Sequence, residues 1–516
     1  MNNLSANAAP SAVTYPENRQ KILWILCGSL VLVVVSVSSL NVAIPNIQRS
    51  LDASATELQW IIDSYALVFA GLLLPAGAIG DRFGRREALL GGLGVFAVAA
   101  IGGTLADSPS QLIAWRSLMG AGAAFIMPAT LSIVSHVFPP EERAKAIATW
   151  AGFAGAGGVV GLLSSGVLLE SFWWGSVFLV NVPIAVAMIA LVVAVVPTSR
   201  DPESTRLDPV GALMSIVGLV ALVFGIIEGP EKGWTSSETL GAFAVAIVLL
   251  SAFVIWEMRS THPMLDPRYF LLREFSLGSL IITAAFFGLF GMFFVVVQFL
   301  QYVQGHGALA AGVRMLPYGL VLLVVAPRSA PVAARLGDRA VIVGGTMLSA
   351  GGFVVLGLLR PDTSYAVTAL GLVLIALGTG LLMPPATSAL VGSLPEAKAG
   401  VGSAMNDTTR EVGGAVGIAV IGALVSVGYR NALGNTLEGA DPHVEELARD
   451  SIGGLLATAE TFGADAPRVI AAGAEAFSDG IRIGMWTAAA TLTIAAIAIA
   501  LLHPNSNAPK KEDAHV

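Results

Sequence analysis

Three charged residues lie inside one long apolar stretch of the sequence: Asp407, Arg410 and Glu411, within GSAMNDTTREVGGAVGIAVIG (402–422). On a helix, residues four apart share a face, so Asp407 and Glu411 would lie side by side with Arg410 close to both. One guanidinium satisfies only one carboxylate, and an acid left unpaired among apolar groups can bind and release a proton. The spacing therefore predicts that one of the two acids exchanges a proton while Arg410 holds the other ionised. Because Glu411 lies deeper in the apolar stretch, we expect it to be the proton site and Asp407 to be the partner of Arg410.

A purely structural reading of the same residues is an internal ion pair that fixes helix packing. That reading accounts for one acid and leaves the other without a partner. A charged side chain at the centre of a bilayer costs about 2.5–3.5 kcal/mol even on lenient insertion scales. Each charge in such a stretch therefore needs a reason to be there.

A second pair of opposite charges lies in two earlier apolar stretches. Asp63 occurs in LQWIIDSYALVFAG and Arg116 in LIAWRSLMGAGAA, each about five residues in from the same side. At 1.5 Å per residue both lie roughly 8 Å deep, so we expect them to form an ion pair. The pair is either a purely structural salt bridge or one that breaks when Asp63 is protonated and thereby signals a gate to move.

Composition identifies the elements that position these charges. The chain has 516 residues, 55% of them hydrophobic and only 12% charged, with a mean hydropathy of +0.77. A soluble protein carries roughly twice that share of charge. About 20 apolar residues cross a bilayer, and the apolar residues form fourteen such blocks without the alternation of a membrane strand. The sequence predicts an all-α integral membrane protein with 14 transmembrane helices.

The loops predict orientation and domain layout. Most of the 28 Lys and Arg residues fall in alternate loops, which places both termini in the cytoplasm of a multi-pass protein of the bacterial inner membrane. Two polar linkers divide the spans into six, two and six. The predicted segments are a cytoplasmic tail (1–21), a six-helix bundle (22–200), two additional helices (201–258), a second six-helix bundle (259–502) with an extracytoplasmic loop at 429–480, and a cytoplasmic tail (503–516).

The sequence lacks the motifs that are typical of several functional classes. No phosphate-binding loop of the G-x-x-x-x-G-K-[ST] type occurs, so we expect no ATP hydrolysis on this chain. The six histidines fall at span ends, in loops or in the tail and suggest no metal site, and no nucleophile–base set suggests an enzyme. We expect no cofactor, a proton gradient as the energy source, and a small molecule, protons and lipid as partners. Nucleic acid is not expected, and the chain is expected to act as a monomer.

The segment GAIGDRFGRR (77–86) joins two of the predicted spans. Its ordered pattern is more specific than a loop that merely carries positive charge. We expect the glycines to bracket a tight turn, Asp81 to cap the following helix and the arginines to hold the inner membrane surface. The pattern consists of Gly77, Gly80, Asp81, Arg82, Gly84, Arg85 and Arg86.

These motifs together resemble a known family. GAIGDRFGRR resembles the signature loop between spans two and three of the major facilitator superfamily, and RSLMGAGAA resembles its fourth-span motif. FWWGSVFLVNVPI (172–184) resembles the sixth span of the fourteen-span drug:proton antiporters, and the acids of span thirteen resemble the branch that exports quaternary ammonium compounds, dyes and methyl viologen. The resemblance implies two six-helix bundles that rock around a central cavity, with two extra helices.

Two positions depart from that branch. Ser36, in VSVSSLNVAIP, stands where an aspartate is usual, which removes one candidate site for a cation or proton. Gly158 and Leu162 stand where the fifth span usually has prolines, which leaves its flexibility to glycine. The glycines expected to let this helix flex are Gly155, Gly157, Gly158 and Gly161.

The combined prediction is a proton-coupled multidrug efflux transporter that exports lipophilic, cationic toxicants or antibiotics. Asp63, Asp407, Glu411, Arg116, Arg410 and Ser36 are its candidate coupling residues. One alternative is an exporter dedicated to a single metabolite or antibiotic, which the serine at position 36 favours. A second is a membrane sensor or scaffold that does not transport, although a scaffold has no need of buried carboxylates.

Overall fold

The computed structural model describes residues 15–199, 208–394 apart from 262 and 264, and 399–502 apart from 435, 438 and 439. Most of both predicted tails and of the first linker lies outside these residues. The regular elements of the described part are all helical. Those before the second linker are α1 (Arg19–Leu51), α2 (Ala55–Phe83), α3 (Arg85–Thr104), α4 (Pro109–Val137), α5 (Pro140–Ser171), α6 (Ser176–Leu179), α7 (Asn181–Val195), α8 (Pro209–Lys232) and α9 (Ser237–Arg259).

The remaining helices begin after a short 3-10 turn. They are α10 (Arg273–Gln298), α11 (Ala308–Leu336), α12 (Asp338–Leu356), α13 (Tyr365–Gly392), α14 (Ala399–Leu433), α15 (Pro442–Asp450), α16 (Ile452–Ala457) and α17 (Ala466–Leu502). A π-helical segment (Phe299–Val303) continues α10, and a second 3-10 segment (Ala459–Asp465) leads into α17. The long loop before the last span thus contains two short helices.

The described residues contain twelve helices long and apolar enough to cross a membrane, or thirteen if α2 is one bent span. The two parts of α2, Ala55–Leu73 and Pro75–Phe83, meet at an angle of 49°. A proline inside a helix removes a backbone hydrogen bond and commonly produces such a bend. In α5 only Gly157–Ser171 counts as an apolar helix, and it is short. The all-α membrane architecture is confirmed, whereas the predicted count of 14 is not.

The long helices form two groups that meet along two seams. In the first half (α1–α7), α2 packs on α4 and α1 on α5; in the second half (α10–α17), α10 packs on α14 and α12 on α13. The halves meet where α2 contacts α14 and where α5 contacts α11. Helices α8 and α9 pack on each other, and α8 also lies against both α2 and α14. The extra pair therefore covers the α2–α14 seam.

The two halves are held together at one side of the molecule. We call the side with the α1–α2 connection, α15 and α16 the loop face, and the side where α1 begins and α2 meets α3 the terminal face. Gln301 of the π-helical segment donates to the Val42 carbonyl at 3.0 Å, and Gln48 donates to Ser451 at 2.8 Å. Among the described residues, the hydrogen bonds that join the halves all lie at the loop face. The halves are closed together there.

Helix α5 is packed closely on α1 through its glycines. A Cβ at Gly161 would lie 2.1 Å from Ser38 Oγ and 2.8 Å from the Val35 carbonyl oxygen, and one at Gly157 would lie 3.1 Å from a Val34 atom. Small residues allow such close approach of membrane helices. Gly158 instead faces open space, with nothing within 4 Å. Gly157 and Gly161 therefore have a packing role, and flexing at the four glycines, Gly155 included, stays a prediction.

We expect Gly161→Ala to destabilise the protein by about 1–3 kcal/mol, because overpacking forces two helices apart. Gly158→Ala is the matched control and should be neutral or slightly stabilising, since its Cβ meets open space. Thermal unfolding of the purified variants in detergent measures both effects. Equal loss of stability in the two variants would contradict the proposed contact with α1.

Candidate functional site

Arg116 is buried in the first half and has its donors satisfied by neutral groups. Only 1% of its surface is exposed. Its Nε–H donates to the Ile61 carbonyl at 3.1 Å, and Nη1 lies 3.5 Å from Ser36 Oγ. The guanidinium carbon lies 4.3 Å from the centre of the Tyr65 ring, an attractive cation–π geometry. The serine that departs from the family pattern is thus a direct neighbour of Arg116.

Asp63 lies close by in sequence but does not pair with Arg116, so the predicted ion pair is wrong. Asp63 is completely buried, and neither carboxylate oxygen has a hydrogen-bond partner among the residues described. Ile61 and Tyr65 are four apart and form the face of α2 that meets Arg116. Asp63 is two residues from each, so its side chain projects from the opposite side of the helix.

The other side of α2 faces α14 of the second half. Gln59, four residues before Asp63, lies so close to Gly422 that a Cβ there would be 2.8 Å from the Gln59 Cδ. Three and four residues after Asp63, α2 enters an apolar cluster with α8 and α14. That cluster consists of Ala66, Leu67, Val223, Ile227, Ala415 and Ala419. Because Asp63 shares this face with the contacts before and after it, it lies at the seam between the halves.

The charged residues of α14 are arranged as the sequence suggested. Arg410 Nη1 lies 3.9 Å from Asp407 Oδ1, and the Asn406 side-chain amide donates to the same oxygen at 3.2 Å. Thr387 of α13 in turn donates to the Asn406 amide oxygen at 3.0 Å. Glu411 has neither an ion pair nor a hydrogen bond within the described part of the chain. Arg410 is thus paired with Asp407, and proton exchange at Glu411 stays a prediction.

Tyr65 completes the group of residues around Arg116. It is buried, and its hydroxyl has no hydrogen-bond partner among the described residues. Ser36 and Tyr65 both lie against Arg116, so the three residues form one cluster within the first half. Sequence analysis missed Tyr65, although its spacing of four from Ile61 places it on the Arg116 side of α2.

An aromatic surface adjoins the charges of α14. Phe286, Phe290 and Phe293 occur at helical spacing on α10 and are partly exposed; we call them the α10 aromatic face. The Arg410 guanidinium carbon lies 5.3 Å from the Phe286 ring centre. Phe293 meets the Tyr318 ring edge-on, with ring centres 5.3 Å apart. Apolar and aromatic surface beside a few charged groups is typical of sites for small organic ligands.

The segment GAIGDRFGRR lies at the terminal face, far along the helices from these groups. Arg85 Nε donates to Asp81 Oδ1 at 2.7 Å, and Ser132 of α4 donates to the same oxygen at 3.2 Å. Arg86 reaches the Val193 carbonyl of α7 at 2.7 Å. The ends of four helices are therefore tied together here.

Two expectations for this segment are corrected. Gly77 and Gly80 lie inside α2, which continues to Phe83, so the turn is made by Gly84 alone, with φ at +131°. A side chain is strained at that φ, and a Cβ would lie 2.1 Å from Glu87 Oε2. Gly84 is also the residue before α3, and no side chain caps that helix. Asp81 therefore binds Arg85 and Ser132 instead of capping α3, and Arg82 lies over the Phe83 ring.

Sequence analysis also missed a polar group at the loop-face end of the α2–α14 seam. Thr56 donates to Glu231 of α8 at 2.9 Å, and Trp60 Nε1 donates to Glu228 at 3.0 Å. Arg430 of α14 donates to the Pro230 carbonyl at 3.1 Å. The sequence signal was present, since Glu228 and Glu231 interrupt the apolar end of α8 in GIIEGPEK.

Within the described residues, no group of three or more His, Cys, Asp or Glu side chains could hold a metal ion. The site is therefore made of carboxylates, arginines and aromatic rings. Its two acids without partners both belong to the helices of the seam. That arrangement can bind a cation, exchange a proton, or do both in turn.

Comparison with known proteins gives consistent results. The model described as Major Facilitator Superfamily matches residues 26–418. The multidrug efflux pump LfrA of Mycolicibacterium smegmatis is 34% identical over 95% of this chain and 97% of its own length. The methyl viologen resistance protein SmvA of Salmonella typhimurium is 35% identical over 78% of this chain and 82% of its own.

Solved structures show the same fold. A bacterial homologue of the human lysosomal transporter Spinster, in an inward-facing and unoccupied conformation, superposes with a TM-score of 0.67. The superposition covers 95% of this chain and 98% of that one, at 19% sequence identity. At that identity the likeness concerns the fold alone.

We expect Asp63→Leu to leave the stability unchanged or to raise it, because an unpaired buried carboxylate is replaced by an apolar group. Arg116→Met should lower the stability by about 1–3 kcal/mol, since it removes hydrogen bonds made by a charged group. Thermal unfolding in detergent measures both. A loss of about 3–5 kcal/mol in Asp63→Leu is the result expected if Asp63 were the partner of Arg116, and it would contradict this geometry.

Asp81→Asn and Arg85→Ala should each slow substrate transport about fivefold, since the lost ion pair amounts to about 1 kcal/mol at a partly exposed site. Substrate affinity should stay within error, because the segment lies at the terminal face. Arg82→Ala is the control: it removes a charge from the same segment that lies over the Phe83 ring and forms no ion pair or hydrogen bond with its side chain in the described part of the chain. Weakened binding with a normal transport rate would show that the segment does not control the conformational cycle.

Proposed function

Because the chain belongs to the Major Facilitator Superfamily, we propose that it is a proton-coupled multidrug efflux transporter that exports lipophilic, cationic toxicants or antibiotics. The family establishes a transporter and not an enzyme. Relatives named for multidrug efflux and for methyl viologen resistance support the substrate class. One observation carries the proposal: Glu411 has no ion-pair or hydrogen-bond partner among the described residues, while its neighbour Arg410 pairs with Asp407 beside the α10 aromatic face.

The α10 aromatic face supplies the apolar part of the binding site. Aromatic rings attract organic cations through their faces, by about 0.5–2 kcal/mol per contact. Arg410 now lies over Phe286, and a substrate cation would be repelled by that guanidinium. The negative charge that offsets this repulsion would come from Glu411, one residue further along α14.

Competition between substrate and proton at one carboxylate gives antiport. A cation beside Glu411 favours the ionised acid, and a proton on Glu411 disfavours the cation. The protein would therefore bind a cationic substrate on the cytoplasmic side and exchange it for a proton on the other. The proton gradient drives the cycle, and no cofactor is required. Asp63, also without a partner, would serve as a second proton site.

The proposed topology has fourteen spans. To the twelve helices that meet the length and composition criteria it adds α2, with its bend at Pro75, and α5, a helix of 32 residues. The terminal face would be cytoplasmic, because the arginines of GAIGDRFGRR lie there. This places both termini inside a bacterial inner membrane. The chain would function as a monomer around a single central site.

A dedicated exporter of one metabolite or antibiotic is the second candidate. The observation that favours it is Ser36, whose hydroxyl and not a carboxylate lies against Arg116. The first half therefore offers one acid fewer to a dicationic substrate. Profiling the resistance of a strain that expresses the chain against a broad panel of toxicants separates the two functions, since a dedicated exporter protects against one compound class.

Glu411→Gln should abolish uphill, gradient-driven efflux from proteoliposomes, because an amide cannot exchange a proton. Asp407→Asn is the matched control: it removes the partner of Arg410 and slows efflux, yet the dependence of efflux on the proton gradient should remain. If Glu411→Gln still drives uphill efflux with normal pH dependence, Glu411 is not the coupling group. If both variants do, these charges are structural, and Asp63 is the next candidate.

A further inference from the structure

A cavity of about 40 Å³ lies at the loop face between α2, α10, α14 and α17. The connection between α15 and α16 covers it. Its polar lining consists of Gln59, Gln298, Ser426, Tyr429, Asp450 and Ser451. A buried water needs about 10–15 Å³ and two to four polar partners. The cavity offers enough of both to hold water.

Asp450 forms the outer end of this cavity. One carboxylate oxygen accepts the Ala55 N–H at 2.9 Å, and the other lies 3.5 Å from Arg430 Nη2. Burial raises the pKa of the Asp450 carboxyl, the Ala55 N–H and Arg430 lower it, and the neighbouring acids raise it further. The titratable and charged groups that face Asp450 are Glu57 of α2, Glu231 of α8, and Tyr429 and Arg430 of α14. The acid thus lies in contact with both halves, through Ala55 and Arg430.

Gln59 forms the inner end. It is 3% exposed, and its side-chain oxygen has no hydrogen-bond partner among the described residues. Asp63 follows one helical turn further, about 6 Å along the same face of α2. Gly422 of α14 packs against the Gln59 side chain, since a Cβ at Gly422 would lie 2.8 Å from the Gln59 Cδ, and both residues line the cavity.

We infer that Asp450, the cavity and Gln59 form the route by which protons from the loop face reach Asp63. Asp450 takes a proton from the outer solution, and water in the cavity carries it inward. At the inner end, the amide oxygen of Gln59 holds the innermost water, one turn from Asp63. The proton then passes to the free carboxylate of Asp63, with no other bond made or broken. The inference rests on the proposed proton coupling.

The loop-face contacts by themselves do not account for this arrangement. Hydrogen bonds from Gln48 to Ser451 and from Ala55 to Asp450 join the halves there. They leave unexplained the buried amide oxygen of Gln59 beside the cavity and the buried acid Asp63 one turn away, neither of which has a hydrogen-bond partner among the described residues. A buried acceptor of that kind is costly unless water satisfies it. A water-filled proton route satisfies it and explains its position.

The test uses the full-length protein in proteoliposomes, with ethidium as the probe. Two rates are measured: ethidium transport driven by a pH gradient, with only the pH on the loop-face side varied, and ethidium–ethidium exchange without a gradient. Gln59→Leu should lower the driven rate by about tenfold or more, within the range of a positioned proton-transfer step. Exchange should be unchanged, because it needs no proton transfer.

Asp450→Asn keeps an oxygen for the Ala55 N–H, so the loop stays docked while the titratable group is lost. The dependence of the driven rate on loop-face pH should flatten or shift. Asp479→Asn is its control, because Asp479 pairs with Arg360 and Arg482 and does not line the cavity. Gln304→Leu is the control for Gln59→Leu, as Gln304 bonds the Thr363 carbonyl outside the cavity.

If the driven transport rate of Asp450→Asn depends on the loop-face pH as it does in the unaltered protein, the proposed route is wrong. So does an equal loss of driven transport and exchange in Gln59→Leu, which would show a structural role alone. These outcomes differ from failure of the proposed function. In that case the unaltered protein would not respond to the pH gradient at all.

Discussion

A charge buried in an apolar interior must find a partner or be neutralised, and the centre of this protein is arranged around that constraint. Arg116 is satisfied by the Ile61 carbonyl, the Ser36 hydroxyl and the Tyr65 ring, whereas Arg410 lies 3.9 Å from Asp407 and its Nε has no hydrogen-bond partner among the described residues. Within that part of the chain, neither arginine forms an ion pair or a hydrogen bond with Asp63 or Glu411. A proton or an incoming cation can neutralise these two acids.

Because of where these two acids lie, the need to neutralise them is connected with conformational change. Asp63 belongs to α2 and Glu411 to α14, the helices that form one seam between the halves. Any motion that separates the halves at the loop face exposes Asp63 to a new environment. Hydrogen bonds at the loop face, made by Gln48 and Ala55 with Ser451 and Asp450, hold the two halves together. Binding of a proton or a cation by the acids is thereby linked to the opening and closing of the seam, as proton coupling requires.

Helix α8 adds to this arrangement in a way that the sequence analysis missed. It lies against both α2 and α14, and its glutamates bind Thr56 and Trp60 of the first half. Arg430 of the second half binds the carbonyl of Pro230. Helix α8 is therefore bonded to both sides of the seam.

Predictions from local sequence patterns were confirmed where they concern contacts or structure within a single helix. The helical membrane architecture follows from apolar run length, and the Asp407–Arg410 contact follows from a spacing of three. The predicted Asp63–Arg116 pair was wrong because the depth of a residue along a helix does not determine to which side its side chain points. Ile61 and Tyr65 mark the side of α2 that meets Arg116, and Asp63 lies on the opposite side. The contact between Asp450 and Ala55 could not be predicted, since it joins residues 395 positions apart.

Proton release on substrate binding tests the central claim most directly. Purified protein in weakly buffered detergent solution is mixed with ethidium, and the change in pH is recorded with a calibrated dye. The account predicts that the unaltered protein releases protons as ethidium binds, that Asp407→Asn still does so, and that Glu411→Gln binds ethidium while releasing none. Unchanged proton release from Glu411→Gln, or none from the unaltered protein, would contradict it.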